Sequence, residues 1–288
     1  MEPDAPSHID GDGYVVSAAD AAAFRANGFV RLRGVLTEAE MAAVIDPVYH
    51  AFMRREVAVP GRDLCDMAGG PPGAAPEEFK VYNVMLPRIY RPDWQGNVLE
   101  RRCKAIADQL RGGGDGDMDF EIDFDQIFAK RASAPDSAFD WHQDAAYWPP
   151  LKSDTAAVNC WLAVSDVTKE SGCLRYVPGS HLEPQLRRHR PVGATRAESH
   201  ALRTDVDEAR EAVVDVPCAR GDVIVHHEAV VHASWPNTSP HWRHAYILNF
   251  RKRACIAEER ALGFTHSHND EVNWDVFARW QGGGGPAG

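Results

Sequence analysis

The feature that most constrains the fold is a change in hydrophobic periodicity near residue 118. In DFEIDFDQIFAKR, Phe120, Ile122 and Phe124 alternate with acidic residues, which predicts a half-buried strand with its acids on the other face. Apolar or alternating runs separated by turn signals follow, namely AAVNCWLAVSDV, CLRYVPG, EAVVDVPC, GDVIVHHEAVVHASW and HAYILNFRKR. Many strands at short spacing after a helical region predict an antiparallel sandwich or barrel, mainly β, with N-terminal helices packed against it.

The N-terminal part carries the start and stop signals of helices. SAADAAAFRANG offers Ser17 as an N-cap and Gly28 as a stop, and Thr37 with Glu40 forms a capping-box pattern ahead of an apolar-periodic run. VLERRCKAIADQLRGGG predicts one more helix, and GFVRLRGVL a short strand. We therefore expect a single domain over 1–288, mostly helical over 14–115 and with its β core over 118–253.

Three segments lack the periodicity of helices or strands. Residues 58–78 are rich in glycine and proline and predict a loop, and the glycine-rich tail 282–288 predicts a flexible end. The connection 182–211 is longer than loops in compact domains usually are. Such a segment is either a lid over a binding site or disordered, and the sequence leaves both readings open.

Composition excludes several classes of protein. The formal net charge of -11 argues against a nucleic-acid partner, and the six scattered cysteines form no C-x-x-C pair that would suggest a zinc ribbon. The N-terminus lacks the pattern of a signal peptide, and no run approaches the ~20 apolar residues of a membrane span. We expect a cytoplasmic enzyme that acts on a small molecule without a membrane partner; the oligomeric state is not readable.

The stretch FDWHQDAAYWPP contains a candidate pair of metal ligands, His142 and Asp144. In a strand, residues i and i+2 point to the same side, so these two side chains can converge while Gln143 points away from the metal. An imidazole nitrogen and a carboxylate oxygen suit a first-row transition metal, and a facial triad needs one further histidine. The pair alone is weak evidence in a chain with 13 histidines.

The stretch GDVIVHHEAVVHASWPN contains three candidates for the third metal ligand. His226 and His227 are adjacent, so at most one of them faces inward, whereas His232 has Ser234 on its own face and Arg243 on the next predicted strand. Arginine grips a carboxylate through two parallel hydrogen bonds. This arrangement favours a metal site that also binds a dicarboxylate co-substrate. The run HSHN at 266–269 has ligand-like residues but no supporting context.

These stretches resemble the phytanoyl-CoA dioxygenase family of iron(II)/2-oxoglutarate-dependent oxygenases. The resemblance lies in WHQD, SGCLRYVPGSH, GDVIVHHEAVVHASWPN and the arginine of HWRHAYILNF, which occur in the family's order and spacing. FRANGFVRLRGVLTEAEM also matches the helix–strand–helix opening of the family. Together the stretches span most of residues 20–253.

The resemblance implies a double-stranded β-helix, or jelly roll, with Fe(II), 2-oxoglutarate and O2 as reactants. It implies that iron is bound by His142, Asp144 and His232. For the co-substrate it implies Arg243 and Ser234, and in some members Lys80 and Trp161. Lys80 reads equally well as a solvated charge and Trp161 as a core residue.

The expected reaction is hydroxylation of an unactivated carbon in a small, specialised metabolite, with release of succinate and CO2. Tyr147 and Trp148 follow the metal pair and are candidates for the wall of the substrate pocket. Desaturation, cyclisation or epimerisation on the same core remains an alternative. So does a cupin-like metal isomerase or hydrolase, which has no need of Arg243.

Overall fold

The computed structural model describes residues 5–61, 63–69, 74–112, 118–149, 151–192 and 201–267, and its architecture is mainly β. The predicted flexible tail 282–288 lies outside these residues. The strands are β1 His8–Asp10, β2 Gly13–Val15, β3 Phe29–Leu32, β4 Leu64–Asp66, β5 Val81–Met85, β6 Phe120–Lys130, β7 Phe139–His142, β8 Ala157–Ala163, β9 Leu174–Tyr176, β10 Arg190–Pro191, β11 Leu202–Arg203, β12 Val214–Val216, β13 Val223–His227, β14 His232–Ser234 and β15 Arg243–Lys252.

Most helices precede the long strand β6. They are α1 Ala18–Asn27, α2 Glu38–Glu40, α3 Asp46–Met53, α4 Pro87–Tyr90, α5 Val98–Arg111 and, after the last strand, α6 Arg253–Ala261. A π-helical turn, Met41–Ile45, joins α2 to α3. No helix among the described residues is long and apolar enough to cross a membrane.

The capping patterns of the N-terminal part form hydrogen bonds at the starts of α1 and α2 and at the end of α1. The side chain of Ser17 accepts from the backbone N–H of Asp20, and Gly28 ends α1 in the left-handed conformation. Thr37 and Glu40 form both hydrogen bonds of the capping box. These local bonds satisfy backbone groups that the first and last helical turns leave unpaired.

Two antiparallel sheets build the β core. The larger has the order β3-β13-β8-β15-β6-β5-β4 and the smaller the order β12-β9-β14-β7. The region 14–115 therefore supplies three strands of the larger sheet as well as most helices. The side chains of both sheets meet in one buried cluster, with Trp161 and Ile247 from the larger sheet packed with Leu174 and Tyr176 of the smaller.

Helices cover the opposite face of the larger sheet. Tyr49 and Phe52 of α3 and Cys103 of α5 share a second core with Tyr246 and Leu248 of β15. Both faces of the larger sheet are thus buried, which explains why β8 and β15 read as nearly continuous apolar runs rather than alternating ones.

The acidic face predicted for β6 is only partly correct. Glu121 is exposed, but Asp123 and Asp125 are 6% and 2% exposed. Asp125 accepts a hydrogen bond from the hydroxyl of Tyr246 at 2.7 Å, and its burial raises its pKa to about 7. Asp123 lies at a bulge in the pairing of β6 with β15. The bulge exchanges the two faces of β6, so Phe120 packs in the core shared with the helices and Phe124 packs with Trp148 on the opposite side, and the predicted single apolar face is wrong. Both buried carboxylates have buried partners.

The long connection 182–211 is described at both ends, whereas residues 193–200 lie outside the described part. Its ends pair as the short strands β10 and β11. The backbone N–H of Thr204 donates to the carbonyl of Trp141 at 2.7 Å, and that of Arg187 donates to the side chain of Gln143 at 2.8 Å. The described ends are therefore anchored to β7 and to the residue between the two candidate ligands.

We predict that Gly28→Ala destabilises the fold more than Gly34→Ala. Both glycines have positive φ angles, 82° and 55°, so both substitutions carry a left-handed penalty of about 1–2 kcal/mol. An added Cβ at Gly28 would also lie 2.5 Å from His181 Nδ1, whereas at Gly34 it meets nothing within 4 Å. Overpacking adds about 1 kcal/mol or more to the Gly28 variant. Urea denaturation measures both losses, and equal losses would contradict the close approach at Gly28.

Candidate metal centre and co-substrate pocket

A cavity of about 170 Å³ lies between the two sheets. It is lined by residues of both sheets, of the turn after β7, of the 182–211 connection and of the segment that follows α6. Its lining comprises Met67, Met85, Phe124, Gln126, Phe128, Phe139, His142, Asp144, Tyr147, Trp148, Asn159, Trp161, Leu174, Leu202, His226, His232, Ala233, Ser234, Arg243, Ile247, Phe264, His266 and Ser267.

His142, Asp144 and His232 converge at this cavity. His142 ends β7 and is paired directly with His232 at the start of β14. Oδ1 of Asp144 lies 3.4 Å from Nε2 of His142 and 3.6 Å from Nε2 of His232. One ligand atom from each residue falls within 4.8 Å of the others, so a single metal ion can contact all three.

The backbone orients both imidazole rings. Nδ1 of His142 lies 2.8 Å from the carbonyl oxygen of Asp140, and Nδ1 of His232 lies 3.0 Å from that of Val230. A ring nitrogen at this distance from a carbonyl carries the proton and donates it, which leaves the Nε2 lone pair free. Metal-bound histidines are typically held in this way.

Asp144 is held through its second carboxylate oxygen. Oδ2 accepts a hydrogen bond from Nδ2 of Asn159 at 2.5 Å and one from Nε2 of His226 at 3.0 Å. Nδ1 of His226 in turn lies 3.0 Å from the hydroxyl of Tyr176. Asn159 and His226 are neighbours across β8 and β13, and Asn249 of β15 donates to Asn159 at 2.6 Å.

His226 and Asn159 are site residues that the sequence reading did not assign. The adjacency of His226 and His227 indicated that only one of them faces inward, but not which one. The register of β13 decides it: His226 faces Asp144, and His227 lies on the other side, near His181. Asn159 carried no signal beyond being a polar residue in an apolar strand.

The electrostatics of the three residues match a divalent cation. Burial raises the pKa of Asp144, but the nearby His232, His142 and His226 outweigh it and hold that pKa well below its usual range. Burial and the proximity of His142 hold the pKa of His232 well below its usual value. The carboxylate is therefore ionised and His232 neutral, which is the protonation state that metal binding requires.

Arg243 lies on the same cavity as a buried cation. It is 1% exposed, and its Nη1 donates to the carbonyl of Phe128 at 3.4 Å. Its Nε has no hydrogen-bond partner, and among the described residues the guanidinium has no carboxylate partner. Burial lowers the pKa of Arg243 to about 10, which still leaves it charged at neutral pH. A buried charge without a counter-ion is costly, so the pocket fits an anionic ligand.

Ser234 reaches the cavity beside a lysine that the sequence reading missed. Nζ of Lys130 donates to Oγ of Ser234 at 2.8 Å and to the carbonyl of Trp235 at 2.5 Å. Lys130 is fully buried and is the register partner of Arg243 across β6 and β15. Because Ser234 accepts from Lys130, its own hydroxyl hydrogen is free to donate to a ligand.

The other predicted site residues divide into two groups. Trp161, Tyr147 and Trp148 all line the cavity, and Trp161 lies with its ring centre 5.3 Å from the Arg243 guanidinium. Lys80 does not line it: its ammonium pairs with Asp136, and the side chain is 34% exposed. The structure thus brings every predicted site residue except Lys80 to one cavity.

Gln143 has a structural role between the two candidate ligands. Its side chain points away from the cavity, as predicted; Nε2 donates to the carbonyl of Ala229 at 2.7 Å, and the side-chain oxygen accepts from Arg187. Its backbone N–H donates to Nε2 of His189 at 3.0 Å. The same tripeptide therefore places His142 and Asp144 and anchors the 182–211 connection.

Comparison with known proteins identifies the family. The profile of the phytanoyl-CoA dioxygenase (PhyH) family matches residues 24–245. The chain belongs to this family. PhyH enzymes are oxygenases that use Fe(II), 2-oxoglutarate and O2. The donor set of the cavity fits both iron and co-substrate: two free imidazole nitrogens, an ionised carboxylate, and a buried arginine without a counter-ion.

Individual relatives are similar over part or most of the chain. The phytanoyl-CoA dioxygenase domain-containing protein 1 homolog of Dictyostelium discoideum is 40% identical over 113 residues, which are 38% of this chain and 40% of that protein. The match thus spans about two fifths of that relative's length.

Solved structures match over a greater length. EvdO2 from Micromonospora carbonacea var. aurantiaca, solved with 2-oxoglutarate, has a TM-score of 0.67 at 28% identity and covers 83% of this chain and 91% of its own. EctD from S. alaskensis, solved with 2-oxoglutarate and 5-hydroxyectoine, has a TM-score of 0.62 at 18% identity, covering 86% and 80%. At that identity EctD shows the shared fold alone.

We predict that His226→Phe weakens Fe(II) binding about 10- to 100-fold, because the ring no longer orients Asp144. His227→Phe is the matched control: this ring lies on the other side of β13 and does not line the cavity. Anaerobic titration with Fe(II) measures both affinities. Similar losses in the two variants would show that His226 acts through general stability and not through the ligand.

Proposed function

We propose that this protein is an Fe(II)/2-oxoglutarate-dependent oxygenase on a double-stranded β-helix core that hydroxylates an unactivated carbon of a small molecule. One observation carries the proposal. The convergent triad of His142, Asp144 and His232 opens onto the same cavity as Arg243, which has no carboxylate partner among the described residues. A triad accounts for the metal, and the arginine accounts for a carboxylate-bearing co-substrate.

The roles of the residues follow from their positions. His142, Asp144 and His232 would hold iron and leave coordination positions open for 2-oxoglutarate and O2. Arg243 would pair with the distal carboxylate of 2-oxoglutarate, and the hydroxyl of Ser234 would donate to the same group. Bound iron supplies the coupling of O2 activation to conversion of 2-oxoglutarate into succinate and CO2.

Substrate would occupy the part of the cavity away from Arg243. Tyr147 and Trp148 line that part with Phe124, Phe264 and Met85, a mainly apolar wall that excludes water from the reacting carbon. The hydroxyl of Tyr147 accepts from the backbone N–H of Leu202 at 2.8 Å, so the 182–211 connection closes one side of this wall. This supports its role as a lid.

A metal isomerase or hydrolase explains the same residues less completely. Such an enzyme uses the triad but has no use for a buried guanidinium beside it. Burying the Arg243 guanidinium without a counter-ion is costly unless an anion is bound there. In the oxygenase, the carboxylate of 2-oxoglutarate would be the anion that offsets the burial of Arg243. Desaturation, cyclisation and epimerisation need the same iron and co-substrate sites, so product analysis separates them from hydroxylation.

We predict that His142→Ala and Asp144→Ala each abolish substrate-dependent release of succinate, because each removes a metal ligand. Asp140→Ala is the matched control, since only the backbone carbonyl of this exposed residue orients His142. A succinate-release screen across metabolite classes with Fe(II), 2-oxoglutarate and O2 finds the substrate and then tests the variants. Retained release in both ligand variants would refute the triad.

We predict that Arg243→Met raises the KM for 2-oxoglutarate by about 30-fold or more and leaves Fe(II) affinity nearly unchanged. Removing one partner of a buried charge pair costs about 2 kcal/mol or more. Arg131→Met is the control, because this arginine donates to the carbonyl of Glu78 and does not line the cavity.

The anaerobic charge-transfer band of the Fe(II)–2-oxoglutarate complex gives the binding constants for the same variants. An unchanged 2-oxoglutarate affinity in Arg243→Met would place the co-substrate elsewhere. Absence of the band in the wild-type protein would favour the isomerase or hydrolase.

A further inference from the structure

A second cluster of charged side chains lies beside the cavity, outside the metal centre. Asp123 of β6, Glu259 of α6 and His266 bring their ligand atoms within 4.8 Å of one another, and all three are buried. His266 lies in the run HSHN, for which the sequence offered no context; its residues 268 and 269 lie outside the described part.

Two arginines make this cluster an ion network rather than a metal site. Nη2 of Arg260 lies 2.5 Å from Oδ1 of Asp123, and Nη1 of Arg251 contacts Glu259 and lies 3.4 Å from Oδ2 of Asp123. Each carboxylate already has a guanidinium partner, so a metal ion would have to displace a buried cation. The network instead fixes the segment after α6 against β6.

The ion network fixes the position of the His266 ring at the cavity wall. The ring stacks on Phe124 with 4.3 Å between ring centres and lies edge-on to Phe264 at 4.7 Å. His266, Phe264 and Ser267 all line the cavity. The hydroxyl of Ser267 donates to Asp63.

The strand register locates His266 relative to the metal centre. Phe124 shares a row of the larger sheet with Asn249 and Asn159, and Asn159 holds Asp144. The backbones of Phe124 and Asn159 are two strand spacings apart, a distance of about 10 Å. Arg243 contacts Phe128, four residues further along β6, or about 13 Å. His266 is therefore on the metal's row and far from the co-substrate arginine.

The hydrogen bonds of His266 leave one ring nitrogen without a partner. Nε2 lies 2.8 Å from Asp123 and 3.1 Å from Glu259, so it carries a proton. Nδ1 has no partner among the described residues. Burial lowers the pKa of His266, but Asp123 and Glu259 outweigh it and raise the pKa above its ordinary value, which favours a proton on Nδ1 as well.

We propose that Nδ1 of His266 binds an acceptor oxygen of the substrate while Phe124, Trp148 and Phe264 hold its apolar skeleton. The site then selects mainly apolar molecules that carry a carboxylate, carbonyl or hydroxyl oxygen at the end remote from the 2-oxoglutarate position. The inference rests on the proposed function for the position of 2-oxoglutarate, but binding at His266 itself does not depend on iron.

The test compares three probes of similar shape: 3-phenylpropanoate, 3-phenylpropanamide and propylbenzene. Saturation-transfer NMR measures their dissociation constants for the full-length protein, with and without Fe(II) and 2-oxoglutarate under nitrogen. We expect the two oxygen-bearing probes to bind about tenfold more tightly than propylbenzene, because only they can accept a hydrogen bond from Nδ1 of His266. With 2-oxoglutarate bound at Arg243, tighter binding of the carboxylate than of the amide shows that the imidazolium charge contributes, and equal binding shows that the hydrogen bond suffices.

The variant for this test is His266→Gln. Its amide N–H can still donate to Asp123 and Glu259, while the group at the position of Nδ1 is lost. The preference for oxygen-bearing probes should disappear in this variant. His244→Gln is the control, because this half-buried histidine stacks on Trp242 away from the cavity and should keep the preference.

A measurement on the wild-type protein covers the case in which His266→Gln does not fold. The ¹⁵N shift of His266 Nδ1 should change with 3-phenylpropanoate and not with propylbenzene. Propylbenzene binding as tightly as the other probes, an unmoved Nδ1 signal, or a preference retained in His266→Gln would each overturn the inference. The charge-transfer band without any probe reports the proposed function separately, so failure of one is distinguishable from failure of the other.

Discussion

The carboxylate of Asp144 is the interaction on which the candidate site depends. One oxygen faces Nε2 of His142 and His232, and the other is held by Asn159 and His226. The first oxygen is thereby aimed at the metal position by bonds to the second. The larger sheet supplies Asn159 and His226, and the smaller sheet supplies the two candidate ligand histidines. The candidate metal centre therefore depends on the two sheets facing each other.

Buried charges divide the cavity into two ends with different chemistry. At one end Arg243 is buried without a carboxylate partner among the described residues, which prepares that end for an anion. Behind His266 at the other end, Asp123 and Glu259 are matched by Arg251 and Arg260. The paired charges stabilise the fold, whereas the unpaired guanidinium of Arg243 can bind an anionic ligand.

Strand periodicity predicted part of the candidate site from the sequence. It could not predict residues whose burial depends on distant strands. The i, i+2 spacing of His142 and Asp144 and the capping pattern at Thr37 are local and correspond to local geometry. Lys130 was missed because a lysine in a strand normally reads as solvated. Its burial depends on β15, more than a hundred residues away.

The aspartates of β6 also show that periodicity alone does not predict burial. Alternation predicted that Asp123 is on a polar face, but α6 and the segment after it cover that face and pair the carboxylate with Arg260. Lys80 shows the converse, because a position that matches the family pattern holds a side chain paired with Asp136 instead. Periodicity reports which face a residue is on, and not what covers that face.

The sequence by itself determined that the chain is mainly β, which family it resembles, and which two short stretches carry the candidate metal ligands, because these depend on residue type at short spacing. Only the tertiary structure decided that His226 rather than His227 faces Asp144, and that His266 reaches the cavity. The physical reason is register. Sliding a strand by one residue exchanges its two faces, and register is set by packing between segments far apart in the chain.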